Sequence, residues 1–195
     1  MSEMDVDKSA DFQIEDIASE YGNSQEPYSN FIDRYFTARY AVDVRHPTDD
    51  YRILVHSNRV CIVTLAPSHE LLANETAVDS VSFQVSENRN TLNTKISGKR
   101  KHNAQRVQPN TAIAIVSCSG EQSKSYKLVP GVHGKLLEMN KELLERPNLI
   151  LEDPSEKGYL AIILPDPSQV EALKKNLLTP QDYEEFVKNR SNSVG

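Results

Sequence analysis

The amino-acid sequence predicts a mainly β domain with short helices, α+β in class and built as a sandwich or barrel. Its apolar residues fall in short runs that either alternate with polar ones or are rich in β-branched side chains, the pattern of strands with one or both faces buried. Gly, Pro and Asn stand between those runs. Such punctuation suits tight antiparallel connections and leaves no room for the helical crossovers of a parallel sheet. The 195 residues are 38% hydrophobic and 26% charged, with seven Gly, ten Pro and no Trp. These values fit one globular domain with tails and exclude collagenous, coiled-coil and low-complexity chains.

Charge is unevenly placed. Residues 1–30 hold eight acids (Glu3, Asp5, Asp7, Asp11, Glu15, Asp16, Glu20, Glu26) against Lys8, so the remaining chain is nearly neutral although the total is −6. A segment so acidic and so poor in apolar residues cannot offset its ordering entropy, and residues 1–28 are expected to be a disordered tail. Phe12, Ile14, Ile17 and Tyr21 are a short amphipathic series within it, suited to docking on a partner. The first seven residues carry three acids and no basic or apolar leader, which argues for a cytosolic or nuclear chain without a secretory signal. Apolar runs such as 112–116 and 160–164 fall far short of the roughly 20 residues that span a bilayer, so no membrane is expected. Cys61 and Cys118, without Cys-x-x-Cys spacing, read as two reduced, half-buried thiols.

The folded domain is expected over 29–190. Phe31 and Tyr35, with Ile32, Phe36 and Tyr40 on the neighbouring stripe, follow helical spacing, with Ser29 or Asn30 as N-cap and the aromatic face used for packing. Ile53, Leu54 and Val55 lead through His56 and a Ser57-Asn58 turn to Val60, Ile62, Val63 and Leu65, a hairpin ending at Pro67. Residues 78–85 alternate, with Val81, Phe83 and Val85 on one face, as a half-buried strand does. Residues 111–118, 124–129, 135–139 and 159–164 supply four more strands. Asn140 caps a short helix over 141–145 that Pro147 stops. A helix over 168–178 precedes the last one, where Thr179 is the N-cap, Pro180 the first helical residue and Asp182 the third. Leu178 staples onto Tyr183, the helix continues over 184–189, and residues 191–195 fray.

Residues 131–164 contain Gly134, a strand ending in Glu138-Met139-Asn140, a Leu-bearing turn stopped by Pro147, and Gly158-Tyr159-Leu160. This resembles the corresponding segment of the glycine cleavage H-protein. Gly134 there allows two strands to approach closely at a barrel corner. A wider resemblance spans most of 30–187. Phe31-Ile32-Asp33-Arg34-Tyr35-Phe36-Thr37, His56-Ser57-Asn58-Arg59-Val60-Cys61, Ser97-Gly98-Lys99, Ala104-Gln105, Gly134 to Asn140 and Leu178 to Glu185 resemble the blocks of the Abitram family, also called Simiate, the actin-binding transcription modulators. Where the family pattern has a glycine before Ala-Gln, this chain has Asn103. The resemblance implies an H-protein-like barrel-sandwich hybrid, related to lipoyl and biotinyl carriers. It also implies binding to filamentous and monomeric actin, residence in nuclear speckles, cytoplasm and actin-rich cell projections, and an effect on transcription, with nuclear proteins as further partners.

Related domains carry lipoate on a lysine at a hairpin tip, and Glu121-Gln122-Ser123-Lys124-Ser125 is superficially similar to that site. Turn chemistry places the tip at Ser119-Gly120 instead, which leaves Lys124 on the return strand and a tethered arm poorly presented. No cofactor is therefore expected, with lipoylation of Lys124 as the alternative. Apart from His56 with Cys61, the histidines His46, His56, His69, His102 and His133 have no metal-ligand spacing, and all read as surface or half-buried residues. No nucleophile elbow, Walker or dinucleotide motif is present, and Ser57 beside His56 is mere adjacency, so no enzyme is expected. Lys99, Arg100, Lys101 and Arg106, with Lys95 and His102, form a basic cluster. It reads as a solvated loop or as a docking element for an acidic partner such as actin, or as a nuclear import signal. Without interleaved aromatics it does not suit specific nucleic-acid recognition.

Overall fold

The fold follows from where β-branched and aromatic residues find partners. In the computed structural model the described residues are 31–75, 77–93, 101, 103–119 and 123–193. The expectations for the acidic tail, for Ser29 or Asn30 as N-cap and for the apolar series from Phe12 to Tyr21 fall outside them. One helical turn, α1 (Phe31–Tyr35), leads into β1 (Phe36–Ala41), which pairs antiparallel with β2 (Tyr51–His56). β2 returns as β3 (Cys61–Leu65) through the predicted turn, closed by the His56 N–H on the Val60 carbonyl. After α2 (Glu70–Asn74) come β4 (Ser80–Ser82), β5 (Gln84–Ser86) and β6 (Arg89–Asn90). β7 (Arg106–Val107), β8 (Ala114–Cys118), β9 (Lys124–Leu128) and β10 (Gly134–Met139) follow. Two short helices, α3 (Glu142–Glu145) and α4 (Leu149–Glu152), lead to β11 (Ala161–Leu164). A 3-10 turn (Pro167–Gln169) opens α5 (Val170–Asn176), and α6 (Pro180–Ser193) ends the described chain.

The strands form a six-stranded sheet in the order β1-β2-β3-β11-β10-β7, a three-stranded sheet β4-β8-β9 and a β5-β6 ribbon. One buried cluster draws Tyr51, Ile53, Val63, Leu136 and Ile163 from the large sheet and Val81, Ala114, Val116 and Leu128 from the small one. The two sheets therefore share a core, in which each fully buried aliphatic side chain contributes roughly 1.5–3 kcal/mol. Gly134 fits the predicted close approach, because a Cβ there would lie 2.7 Å from Ile163 Cγ2 and 2.8 Å from the Leu164 carbonyl oxygen. Gly158 is equally constrained, since its Cβ would run into the Leu149 carbonyl.

Several expectations are corrected. The helix predicted through Tyr40 stops at Tyr35, because Phe36 to Ala41 complete the ladder opposite Tyr51 to His56; tertiary pairing overrides the helical spacing of the aromatics. The strand expected over 78–85 is divided at Phe83, whose side chain is buried while β4 pairs with β8 and β5 with β6. The final helix continues to Ser193, past the point at which fraying was expected. The strand read from residue 159 starts at Ala161, and the helix read over 168–178 begins as a 3-10 turn and ends at Asn176. The short helix expected over 141–145 starts at Glu142 with Lys141 as N-cap; Asn140, one residue earlier, accepts from the Glu142 N–H at 3.2 Å and donates Nδ2 to the Lys157 and Tyr159 carbonyls, so it ties this turn to the segment before β11. Both thiols are fully buried, Cys61 at 0% and Cys118 at 2% exposure, and not half-buried.

Candidate functional site

Three places carry the residues singled out in the sequence, together with polar groups that local patterns conceal. The first is the β8-β9 hairpin. Cys118 pairs with Lys124 at the end of the ladder, so Lys124 is the opening residue of the return strand and residues 119–123 make the connection. Ser119 hydrogen-bonds Asp79, while Gly120 lies outside the described residues. The Lys124 ammonium is 3.9 Å from Glu75 Oε1, and the same carboxylate accepts from the Tyr126 hydroxyl at 2.6 Å. Lys124 thus opens β9 with an exposed side chain whose ammonium lies beside a carboxylate.

The second is the basic loop. Lys99 and Arg100 lie outside the described residues. Lys101 is half-buried, and it and Asn103 adopt left-handed backbone conformations, φ +52° and +65°. Asn tolerates this region better than most residues, which explains how Asn103 substitutes for the glycine of the family pattern. Arg106 is separated from that turn by Ala104 and Gln105 and sits on β7, where its guanidinium donates to Asp166 at 2.6 Å and holds that carboxyl below its usual range. The fold therefore uses Arg106 to tie β7 to the segment after β11.

The third place, missed in the sequence, lies under α6. Asp49 is buried and accepts from Arg45 Nε at 2.8 Å and from the Tyr51 hydroxyl at 2.7 Å, with His69 Nε2 at 3.4 Å. His69 Nδ1 accepts from the Leu71 N–H, so the ring caps α2 and aims its other nitrogen at Asp49. This overturns the expectation of surface or half-buried histidines, since His69 is 1% exposed. Burial pushes the Tyr51 phenol up, and the neighbouring Asp49 charge adds to the shift. Beside this group, buried Asp50 accepts from Arg190 at 2.6 Å and from the Ser68 hydroxyl at 2.5 Å. Arg190 also reaches Asp43 at 2.7 Å, and Ser68 meets the Tyr183 hydroxyl at 2.6 Å. Tyr183 stacks on Tyr40 with ring centroids 4.0 Å apart. The nearby His69 is committed to Asp49 and α2, and the carboxylate that meets Ser68 is the one that Arg190 bridges. These contacts fasten α6 to the outer side of the large sheet. Arg45, Asp49 and Tyr51 are near neighbours in sequence, but no local spacing links them to His69, or Asp50 to Ser68 and Arg190.

Among the described residues, no group of three or more His, Cys, Asp or Glu side chains could hold a metal ion, and no helix is long and apolar enough to cross a membrane.

Comparison with known proteins gives the chain its relatives. Residues 72–190 match the family model of the glycine cleavage H-protein, which defines the class as H-protein-like. A solved glycine cleavage system H protein from Mycobacterium marinum superposes with a TM-score of 0.49 at 14% identity, over 77% of this chain and 96% of that one. Protein Abitram of Bos taurus is 38% identical over 162 residues, 83% of this chain and 86% of the relative. Protein Abitram of Xenopus tropicalis is 39% identical over 84% of this chain and 89% of its own length, and that of Dictyostelium discoideum 34% over 69% and 74%. Within the H-protein-like class, the chain belongs to the Abitram family.

Proposed function

We propose that this chain is a non-enzymatic actin-binding protein that modulates actin remodelling and transcription, acting in the nucleus, including speckles, and in cytoplasmic actin-rich projections. The observation that carries the reading is family membership, since the Abitram relatives align over most of the chain. Strand placement of Lys124, with its ammonium facing Glu75, also favours a binding module over a carrier. No cofactor, membrane or specific nucleic-acid partner belongs to this reading; nuclear proteins do. Lys99, Arg100 and Lys101 are its docking residues, and Arg106 contributes through its hold on β7.

Co-sedimentation of the full chain with filamentous actin tests it. The protein is expected in the pellet, with less pelleting for the Lys99→Ala, Arg100→Ala, Lys101→Ala variant. Absence from the pellet at low salt overturns the reading, while undiminished pelleting of the variant removes the loop from it. The match to the H-protein model favours one competitor, a carrier lipoylated on Lys124. Intact mass of the protein isolated from its own cells separates the two: an added group on Lys124 establishes the carrier.

A further inference from the structure

Beside the edge strand of the large sheet, a cavity of about 530 Å³ opens between α1, β1, the β2-β3 turn and α5. Arg34, Arg39, Arg59 and Lys174 line it together with His56, and among the described residues no Asp or Glu does. Four fixed cations in one concavity repel each other, and in a chain of net charge −6 acids are plentiful elsewhere to neutralise them. Arg45, Arg106, Arg146 and Arg190 each lie within 3.2 Å of a carboxylate. Among the described residues, Arg34, Arg39 and Arg59 pair with none.

Their contacts among the described residues leave the three guanidinium charges without a carboxylate. Arg39 donates one guanidinium nitrogen to the Ala38 carbonyl at 2.9 Å, Arg59 reaches the Pro165 carbonyl at 3.5 Å, and Arg34 lies over the Tyr35 ring at 5.6 Å. Arg39 Nε is shielded from solvent and meets no acceptor. Lys174 alone has an acidic neighbour, the exposed Glu171 at 3.3 Å. The ladder explains where Arg39 comes from: it stands opposite the core residue Ile53, as Thr37 stands opposite Val55. Residues directly opposite share a face, so the edge strand turns a guanidinium toward the interior side, where a burial pattern calls for an apolar residue.

We propose that this cavity binds a compact polyphosphate anion, one bearing two or more phosphoryl groups. Planar guanidinium forks take phosphoryl oxygens bidentately, and an ammonium adds a point charge. The volume lies in the range of roughly 300–1,000 Å³ used for small ligands. An acidic peptide fits less well, because an extended chain advances about 3.3 Å per residue with side chains on alternate sides and so delivers only one or two carboxylates into a space this size. A polyphosphate concentrates its charge there. Thr37 and Ser57 also line the cavity.

Calorimetric titration of the full chain with sodium tripolyphosphate tests the proposal. Saturable one-to-one binding is expected, weakened at least about tenfold by Arg39→Gln or Arg59→Gln, as loss of a charge-assisted contact requires. The exposed-side variants Arg34→Gln and Lys174→Gln provide the same comparison should Arg39→Gln fail to fold. The Lys99→Ala, Arg100→Ala, Lys101→Ala variant is expected to bind as the parent does. Flotation with phosphatidylcholine vesicles, with and without a bisphosphorylated phosphoinositide, assigns the source: phosphoinositide-dependent flotation marks a lipid headgroup, and its absence beside tripolyphosphate binding marks a free polyphosphate. Absence of binding, equal binding by the cavity variants, or equal weakening by the loop variant overturns the proposal. Binding of a peptide of residues 1–30 without binding of tripolyphosphate overturns it too, in favour of an acidic peptide.

Discussion

Asp49 has no exposed surface and accepts hydrogen bonds from Arg45 and Tyr51, with His69 beside it. Burial alone would raise its pKa, but the bonds from His69, Arg45 and Tyr51 prevail and hold the carboxyl well below its ordinary value of 3.8. A carboxyl depressed in the folded state contributes stability that is present above the ordinary value and lost as pH falls below it. Asp49→Asn is expected to cost about 3 kcal/mol at neutral pH, the scale for breaking a buried ion pair. It should also flatten the decline of stability below about pH 4; urea unfolding at pH 7 and pH 3 measures both effects, and an unchanged pH slope would remove Asp49 as its source. The thiols behave differently. Burial pushes Cys61 to about 12 and, with Glu75 and Asp79 nearby, Cys118 to about 11, so both are protonated and inert at neutral pH. A thiol-disulfide reagent is expected to label neither in the native protein and both in guanidinium; fast native labelling of Cys118 would contradict its burial. The sequence identified these thiols as reduced but could not reveal their depth, which depends on two sheets closing over them.

At the scale of elements, the start of α6 was readable and its anchor was not. Thr179 Oγ1 accepts from the Asp182 N–H at 3.2 Å, as the predicted N-cap does, and the Asp182 carboxylate also accepts from the Thr179 backbone N–H at 3.4 Å and from its hydroxyl at 2.7 Å. Leu178 and Tyr183 share one buried cluster as the staple requires. Arg190 reads as an ordinary surface residue of a polar helix, yet its guanidinium bridges Asp43 and buried Asp50. Arg190→Met is expected to leave Asp50 buried without its cation and lower stability by about 3 kcal/mol, whereas Lys188→Met on the same helix should change it by no more than about 0.5 kcal/mol. Equal effects in thermal unfolding would mean that the bridge contributes nothing. The α1-β1 boundary shows the reverse failure, in which a clear local period lost to strand pairing. Residues 36–41 satisfy backbone groups along β2, and the four-residue aromatic spacing offers no comparable gain.

For the whole molecule, charge distribution governs what a partner meets. Acidic residues are concentrated before residue 31, and the rest of the chain is nearly neutral, so long-range attraction to an acidic partner must come from local basic patches. If the basic loop docks on actin as proposed, pelleting should fall as salt rises from about 0.05 to 0.3 M, where the screening length shrinks below about 10 Å; salt-independent pelleting would point to an apolar interface instead.

The β2-β3 hairpin, strands β8 to β11, the Asn140 and Thr179 turns, the tight approach at Gly134 and the strand position of Lys124 were legible in residue order, because each depends on backbone preference within a few positions. The division of strands between two sheets, the exchange of a predicted helix for edge strand β1, the Asp49 and Asp50 clusters and the gathering of Arg34, Arg39, Arg59 and Lys174 were not. Those arise from contacts between residues far apart in the chain, whose energies exist only once the sheets have paired and water has been excluded.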